Sequence, residues 1–393
     1  MKNKNIIQRV DLFSIELTNV CNLNCNFCAN QIMSRKKGFM DLKLAKRLLK
    51  EAKETRFCYE IVTNVMGEPL LYKHLFKLLK FAKNIDQKIS VVTNGENLNI
   101  DISSKLLECS PWMVGVSYHC HDAESFKFKN SKSNNYENYK KNILELIELK
   151  YKLKSKTLVG LNIMSTTKMP NEKFKILDNY QDYKTFENEW ISLAKKVKKK
   201  FNIKWHIPDF LYSGTNMLLP GFWINLKQGY HTWGGNILPS GTKVVPCMKN
   251  ICLNPFSQFN ILWNGDLTLC CIDYNGDLVY DNIRGKSIIE AFNSDRINDI
   301  RKNFINKENL HKKCLNCFGD IVNVDGSGFN SDKIFPKFSV SQNCQMFYFQ
   351  LRRLMWQYPE FNILVRKILA HTGIGNSLQQ KHFIKKIKNK HAS

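Results

Sequence analysis

Short apolar runs alternate with amphipathic helical patterns over the first 210 residues, and this alternation narrows the fold more than any other feature. The runs are 12–17 (LFSIEL), 58–64 (CYEIVTN), 89–94 (ISVVTN), 113–118 (MVGVSY), 157–164 (TLVGLNIM) and 203–208 (IKWHIP). Their Val and Ile content and unbroken apolarity suit strands buried on both faces. Between them, Leu42, Ala45, Leu48 and Leu49 share one helix face, and Leu71, Leu75, Leu78, Leu79 and Ala82 share another. Residues 136–151 and 183–200 read the same way, and Asp41 and Asp101 are expected helix N-caps. Six strands in β-α alternation imply parallel pairing with right-handed crossovers, in an open sheet or a barrel. Either way, ligands collect at the carboxyl ends of the strands.

The stretch CNLNCNFC (21–28) falls on that edge, just after the first strand. Its interleaved Asn19, Asn22, Asn24 and Asn26 favour a loop over a helix. Three thiols are too many for one disulfide and too few for a closed zinc site. They leave one iron of a [4Fe–4S] cluster open to a small molecule.

The pattern Cys21-x3-Cys25-x2-Cys28, with Phe27 before the third cysteine, resembles the radical S-adenosylmethionine superfamily. The resemblance implies that the amino and carboxylate groups of S-adenosylmethionine chelate the open iron. One electron then cleaves the sulfonium to a 5′-deoxyadenosyl radical, which abstracts a substrate hydrogen atom. The stretch MGEPLL (66–71) looks like the family's Gly-Gly-Glu-Pro loop, with Met66 in place of the first glycine. Gly67, Glu68 and Pro69 are thereby implied to meet the cofactor's ammonium group. Asn94 in TNG (93–95), and Ser117 at the end of the fourth strand, match further cofactor-binding positions. The implied fold is α/β: a partial (β/α)6 TIM-like barrel over residues 1–210.

Beyond residue 210 the alternation stops. Residues 211–246 are rich in Gly and Pro and are expected to link to a second unit over 247–320. Asn264-Gly265 in FNILWNGDLTLCC marks a β-hairpin that brings Cys270 toward Cys252. Cys314-x2-Cys317 closes the set. Four thiolates compose either a saturated [4Fe–4S] cluster or a structural zinc site. The arrangement resembles the twitch form of the SPASM domain, which implies one auxiliary cluster and so two [4Fe–4S] clusters in all. Cys247 or Cys271 could replace a ligand; Cys58, Cys109 and Cys120 are expected to pack. The only later cysteine is Cys344.

A saturated auxiliary cluster suits electron transfer, so the expected reaction is a dehydrogenation. His119, His121, His206 and Asp209 lie near expected strand ends as candidate bases. The first strand begins near residue 12, leaving no room before it for a peptide-binding domain. The expected substrate is therefore a sugar, aminocyclitol or nucleotide-linked sugar, with a peptide as the alternative and a non-catalytic iron–sulfur redox module as a second. The net charge of +25 suits a phosphorylated substrate; no nucleic-acid partner is expected. The resemblance implies a reducing partner such as flavodoxin or ferredoxin.

No secretory signal or membrane-spanning run is found, which points to a reducing cytoplasm, where 13 cysteines serve metals better than disulfides. Residues 321–393 are expected to form a helical, basic extension. Its 345–371 stretch, with Phe347, Leu351, Leu354 and Met355 on one face, could pack on the core or touch a membrane surface.

Overall fold

The computed structural model describes residues 6–326 except 134, 168–170, 208–213 and 249–250. The C-terminal extension, including 345–371 and Cys344, lies outside the described residues, as does Asp209.

Six parallel strands form the backbone of the fold. They are β1 (Leu12–Ile15), β2 (Ile61–Val62), β3 (Ile89–Thr93), β4 (Met113–Ser117), β5 (Leu158–Ser165) and, after the edge strand β6 (Gly214–Leu219), β7 (Phe222–Gln228). The helices between them are α1 (Leu42–Thr55), α2 (Leu75–Asn84), α3 (Ile100–Cys109), α4 (Ala123–Lys127), α5 (Tyr136–Lys152) and α6 (Tyr180–Lys200). This is the expected partial barrel. Asp41 caps α1 by accepting from the Leu44 amide. The N-cap of α3 is Asn99 rather than Asp101, which sits in the first turn, where its charge still favours the helix dipole.

The sixth parallel strand is not the expected 203–208 run. Residues 203–207 carry no strand, and His206 is exposed. The strand is β7, paired with β5 from Val159↔Phe222 onward. Its alternation buries Phe222, Ile224 and Leu226. β6 and β7 form a tight antiparallel hairpin through Pro220 and Gly221, within the stretch expected to be loop.

The second unit is built onto the barrel sheet. After β8 (Thr242–Val245) and a short helix α7 (Asn254–Ser257), β9 (Gln258–Ile261) pairs in parallel with β1. The expected hairpin then forms, with β10 (Asp266–Thr268) antiparallel to β9 and β11 (Val279–Asn282) beyond it. Among the described residues the sheet order is β11-β10-β9-β1-β2-β3-β4-β5-β7-β6. Helices α8 (Ile288–Phe292), α9 (Asp295–Asn306) and α10 (Lys312–Phe318) follow, and β12 (Asp320–Asn323) pairs with β8.

Phe13 of β1, Phe57, Phe259 of β9 and Phe292 of α8 interlock with ring centroids 5.2–5.9 Å apart, burying the seam between the two units. Trp263, in the hairpin turn, lies over Gly38; a Cβ there would come within 2.5 Å of the indole. The close fit places the hairpin beside the segment that follows the three-thiol loop. Among the described residues, no helix is long and apolar enough to cross a membrane.

Candidate metal centres

The chain leaves β1 at its carboxyl end, and residues 19–28 form a loop, as the asparagines predicted. Cys21, Cys25 and Cys28 are brought together there, each only partly exposed. Burial pushes the Cys25 thiol up to about 12 and the Cys28 thiol up to about 11, with the neighbouring thiols adding to both shifts. Burial also raises Cys21. Such thiols stay protonated unless a metal displaces the proton. Two polar N–H groups already face the sulfurs: Asn94 Nδ2 lies 3.6 Å from Cys21 Sγ, and the Asn30 amide 3.5 Å from Cys28 Sγ. N–H groups aimed at sulfur suit iron–sulfur ligation, where they tune the cluster.

The MGEP loop is pinned beside these thiols. Gly67 has φ +79, and a Cβ on it would lie 2.2 Å from the Thr18 carbonyl oxygen. The next amide, of Glu68, donates to Val20 O at 2.9 Å. Pro69 opens a single helical turn. The Glu68 side chain is buried and faces inward, accepting from Thr93 Oγ1 at 2.8 Å, the Asn94 amide at 2.6 Å and the Leu70 amide at 3.0 Å. Burial raises its pKa against those three bonds. Its carboxylate thus ties the loop after β2 to the TNG loop after β3. Gly67→Ala should displace the loop against the backbone of residues 18–19, with a stability loss of about 1–3 kcal/mol read by thermal unfolding.

Ser117 ends β4, and its carbonyl accepts from Lys129 Nζ at 2.7 Å. Lys129 was not singled out from sequence. It is 1% exposed and also donates to Asn94 O, Tyr118 O and Tyr139 Oη. One buried ammonium group therefore joins the ends of β3 and β4, and it is the largest influence favouring the Cys25 thiolate. No local signal marks it, because three of its four partners are backbone carbonyls at the ends of β3 and β4.

Of the candidate bases, His119 faces the three-thiol loop. Its ring meets Phe27 edge-on at 5.6 Å, and its buried Nδ1 has no hydrogen-bond partner. Burial lowers its pKa from 6.5 to about 3, with Lys129 and Lys227 adding to the shift. A depressed value means that His119 contributes stability above pH 6.5 and that this is lost as pH falls toward 3. His119→Asn, which suits the left-handed backbone at φ 36, should flatten that slope by up to ~1.4 kcal/mol per pH unit in acid denaturation. His121 is tied down instead: its Nδ1 accepts from the Leu177 amide, and its Nε2 lies 3.6 Å from both Asp122 and Asp182.

Cys252, Cys270, Cys314 and Cys317 line one open cavity of about 380 Å3, together with Asn254, Ile272 and Lys313. Asn254 Nδ2 donates to Cys270 Sγ at 3.0 Å. A hydrogen bond from Cys271 lowers the Cys270 thiol, while burial pushes Cys252 and Cys314 up to about 12. The buried Lys313 ammonium binds Asp273 at 3.0 Å and Asp277 at 2.7 Å, fastening α10 with its two cysteines to the loop after Cys270. Cys247 lies outside this lining and points its thiol at Phe318 O, 3.4 Å away. Among the described residues, no three His, Cys, Asp or Glu side chains are grouped to hold a single ion. The four thiols line one volume, a donor set that suits a saturated [4Fe–4S] cluster or a structural zinc.

A barrel with three thiols at one strand end and a four-thiol hairpin unit beside it carries the donor set of an iron–sulfur protein. Residues 15–166 match the model of the radical SAM superfamily, and residues 252–318 match that of an iron–sulfur cluster-binding domain, SPASM. The chain belongs to the radical SAM superfamily and carries a C-terminal SPASM domain. It is 31% identical over 120 residues to the uncharacterized protein MJ0804 of Methanocaldococcus jannaschii, covering 30% of this chain and 38% of that protein. It is 28% identical over 129 residues to an S-adenosylmethionine-dependent nucleotide dehydratase of Lacinutrix mariniflava, covering 32% and 26%. The chain thus spans well under half the length of either curated relative. Among solved structures it resembles BtrN in complex with AdoMet and 2-DOIA (17% identity, TM-score 0.45, 80% of this chain and 94% of that one). It also resembles Streptococcus suis SuiB bound to precursor peptide SuiA (15%, 0.48, 76% and 68%) and anSMEcpe with bound AdoMet (13%, 0.45, 91% and 99%).

Proposed function

We propose that this radical SAM enzyme oxidises a small polar substrate by two electrons, using one cluster on Cys21, Cys25 and Cys28 and a second on Cys252, Cys270, Cys314 and Cys317. The carrying observation is the pairing of an incomplete thiol set with a complete one, the latter ringing its own cavity. When bound, S-adenosylmethionine and the clusters supply hydrogen-atom abstraction and an acceptor for the electron left on the substrate.

The chain's own residues hold and shield that chemistry. Gly67, Glu68 and Pro69 form the wall that receives the cofactor's amino group; Asn94 and Ser117 flank it at the ends of β3 and β4. Phe27, packed between His119 and Phe174, keeps water from the thiol loop. Burial and the two lysines hold His119 neutral, so its unpartnered Nδ1 serves as a hydrogen-bond acceptor rather than as the carrier of the proton lost on oxidation. Lys227, an exposed cation on β7 whose charge acts on His119, His231 and Cys271, suits a phosphoryl group. A nucleotide-linked substrate agrees with this cation, with the basic balance of the chain and with the nucleotide named for one relative.

Anaerobically reconstituted, reduced protein should release 5′-deoxyadenosine from S-adenosylmethionine. Given a panel of nucleotide sugars and aminocyclitols, it should yield a product two mass units lighter than its substrate. Oxidation of a short peptide alone, or iron uptake with no S-adenosylmethionine cleavage, would overturn this assignment.

A further inference from the structure

Two side chains outside the thiol sets join them. Glu16, just past β1, is fully buried. Arg35 grips both of its carboxylate oxygens, and the same oxygens accept from two backbone amides. One is Met66, which begins the MGEP loop, at 3.2 Å; the other is Trp263, which begins the turn of the auxiliary hairpin, also at 3.2 Å. Arg35 Nε in turn donates to Tyr274 O at 2.6 Å, four residues past Cys270. The neighbouring Ser34 amide donates to Asn275 at 2.8 Å.

Met66 adds a direct contact. It stands where the family's loop has glycine, yet its backbone is not left-handed, so no glycine is required there. Its side chain is 4% exposed and packs with Ala29 and Tyr274, with Cys28 and Trp233 against the same cluster. Tyr274 is itself capped by the Lys313 ammonium at 4.2 Å, one residue before Cys314. Trp233 Nε1 donates to Phe27 O at 3.0 Å and closes the ring on the other side. The loop beside Gly67 therefore reaches the segments that carry Cys270 and Cys314 by two routes: three bonded steps, Met66 to Glu16 to Arg35 to Tyr274, and one packed step, Met66 to Tyr274.

Resting on the function proposed above, we propose that Met66 and the Glu16–Arg35 pair are positioning residues that couple the two sites, so that a filled four-thiol site tightens S-adenosylmethionine binding at the MGEP loop. Filling the cavity fixes the Cys270–Tyr274 segment; Tyr274 then holds Met66 and Arg35 in register, and Glu16 holds the Met66 amide. Coupling of this kind is reciprocal and commonly amounts to about 5- to 150-fold. It needs a contiguous packed and hydrogen-bonded network, which these residues provide.

The test is a thermodynamic cycle on the full chain, anaerobically reconstituted, with S-adenosylmethionine as the probe. Equilibrium dialysis measures its affinity in wild type and in Cys252→Ala/Cys314→Ala, with iron counting to confirm that only the N-terminal cluster is retained. The same pair is made in a Met66→Gly background and in an Arg35→Lys background. Thermal unfolding screens for folding, so that either background can stand alone. The expected result is affinity at least ~5-fold weaker in Cys252→Ala/Cys314→Ala than in wild type, shrinking to less than ~2-fold in both backgrounds. An equal loss in all backgrounds, or no loss in the first, overturns the coupling and leaves the proposed function intact. If wild type binds no S-adenosylmethionine at all, the proposed function itself fails and the coupling falls with it.

Discussion

Cys25→Ala is expected to bring 5′-deoxyadenosine formation down to the background of enzyme-free controls. Cys25 is the central thiol of its loop, influenced by both Cys21 and Cys28 and by the buried Lys129. Two thiolates cannot replace three at a cluster that already lends one iron to the cofactor. Iron should fall from about eight to about four per chain, because the four-thiol cavity is untouched. Cys58→Ala is the matched control: that thiol is also buried, but burial and Glu60 dominate its environment rather than another thiol. It should keep its iron and its activity and lose only packing, about 1 kcal/mol. Chromatography of the nucleoside product together with iron counting separates the two outcomes.

The second large effect is expected at the other site. Cys252→Ala combined with Cys314→Ala removes two of the four thiols lining the cavity. Iron should again fall to about four per chain, now with the N-terminal cluster intact. At saturating S-adenosylmethionine, 5′-deoxyadenosine should still appear, while the two-electron-oxidised product drops at least ~100-fold. Loss of both products together would mean that the pair is needed to fold the second unit. Circular dichroism tests this, since the seam at Phe13, Phe259 and Phe292 should survive in a folded variant.

Much of this was legible in the chain, for reasons that differ from element to element. The first five parallel strands are short Val- and Ile-rich runs closed by polar residues, and burial on both faces leaves that pattern whatever the neighbours do. The sixth was misplaced because residues 203–207 alternate Ile203, Trp205 and Ile207 as a strand would, directly after a helix. The actual strand, β7, hides in a Gly- and Pro-rich stretch whose tight turn at Pro220-Gly221 reads as loop. The grouping of the cysteines was readable from their spacing: Cys21, Cys25 and Cys28 share one loop, and Cys252, Cys270, Cys314 and Cys317 line one cavity. The Asn264-Gly265 hairpin was readable from its turn chemistry, though not the parallel pairing of β9 with β1.

The supports of the site were not readable. Glu16 looks like the polar end of a strand, and only a buried carboxylate's need for a partner hints at Arg35, 19 residues further on. Lys129 bonds backbone carbonyls from distant loops, a pattern with no sequence signature. Met66 read as a departure from a glycine position; packed against Tyr274, it is a contact with the second unit.

The account turns on the open coordination site beside Cys21, Cys25 and Cys28. Electron paramagnetic resonance of the reduced, air-free protein, recorded before and after adding S-adenosylmethionine, addresses it most directly, with Cys252→Ala/Cys314→Ala used to isolate the N-terminal signal. The account predicts a [4Fe–4S] spectrum whose g-values shift when the sulfonium is added. An unchanged spectrum, or a centre that proves to hold zinc, would contradict it.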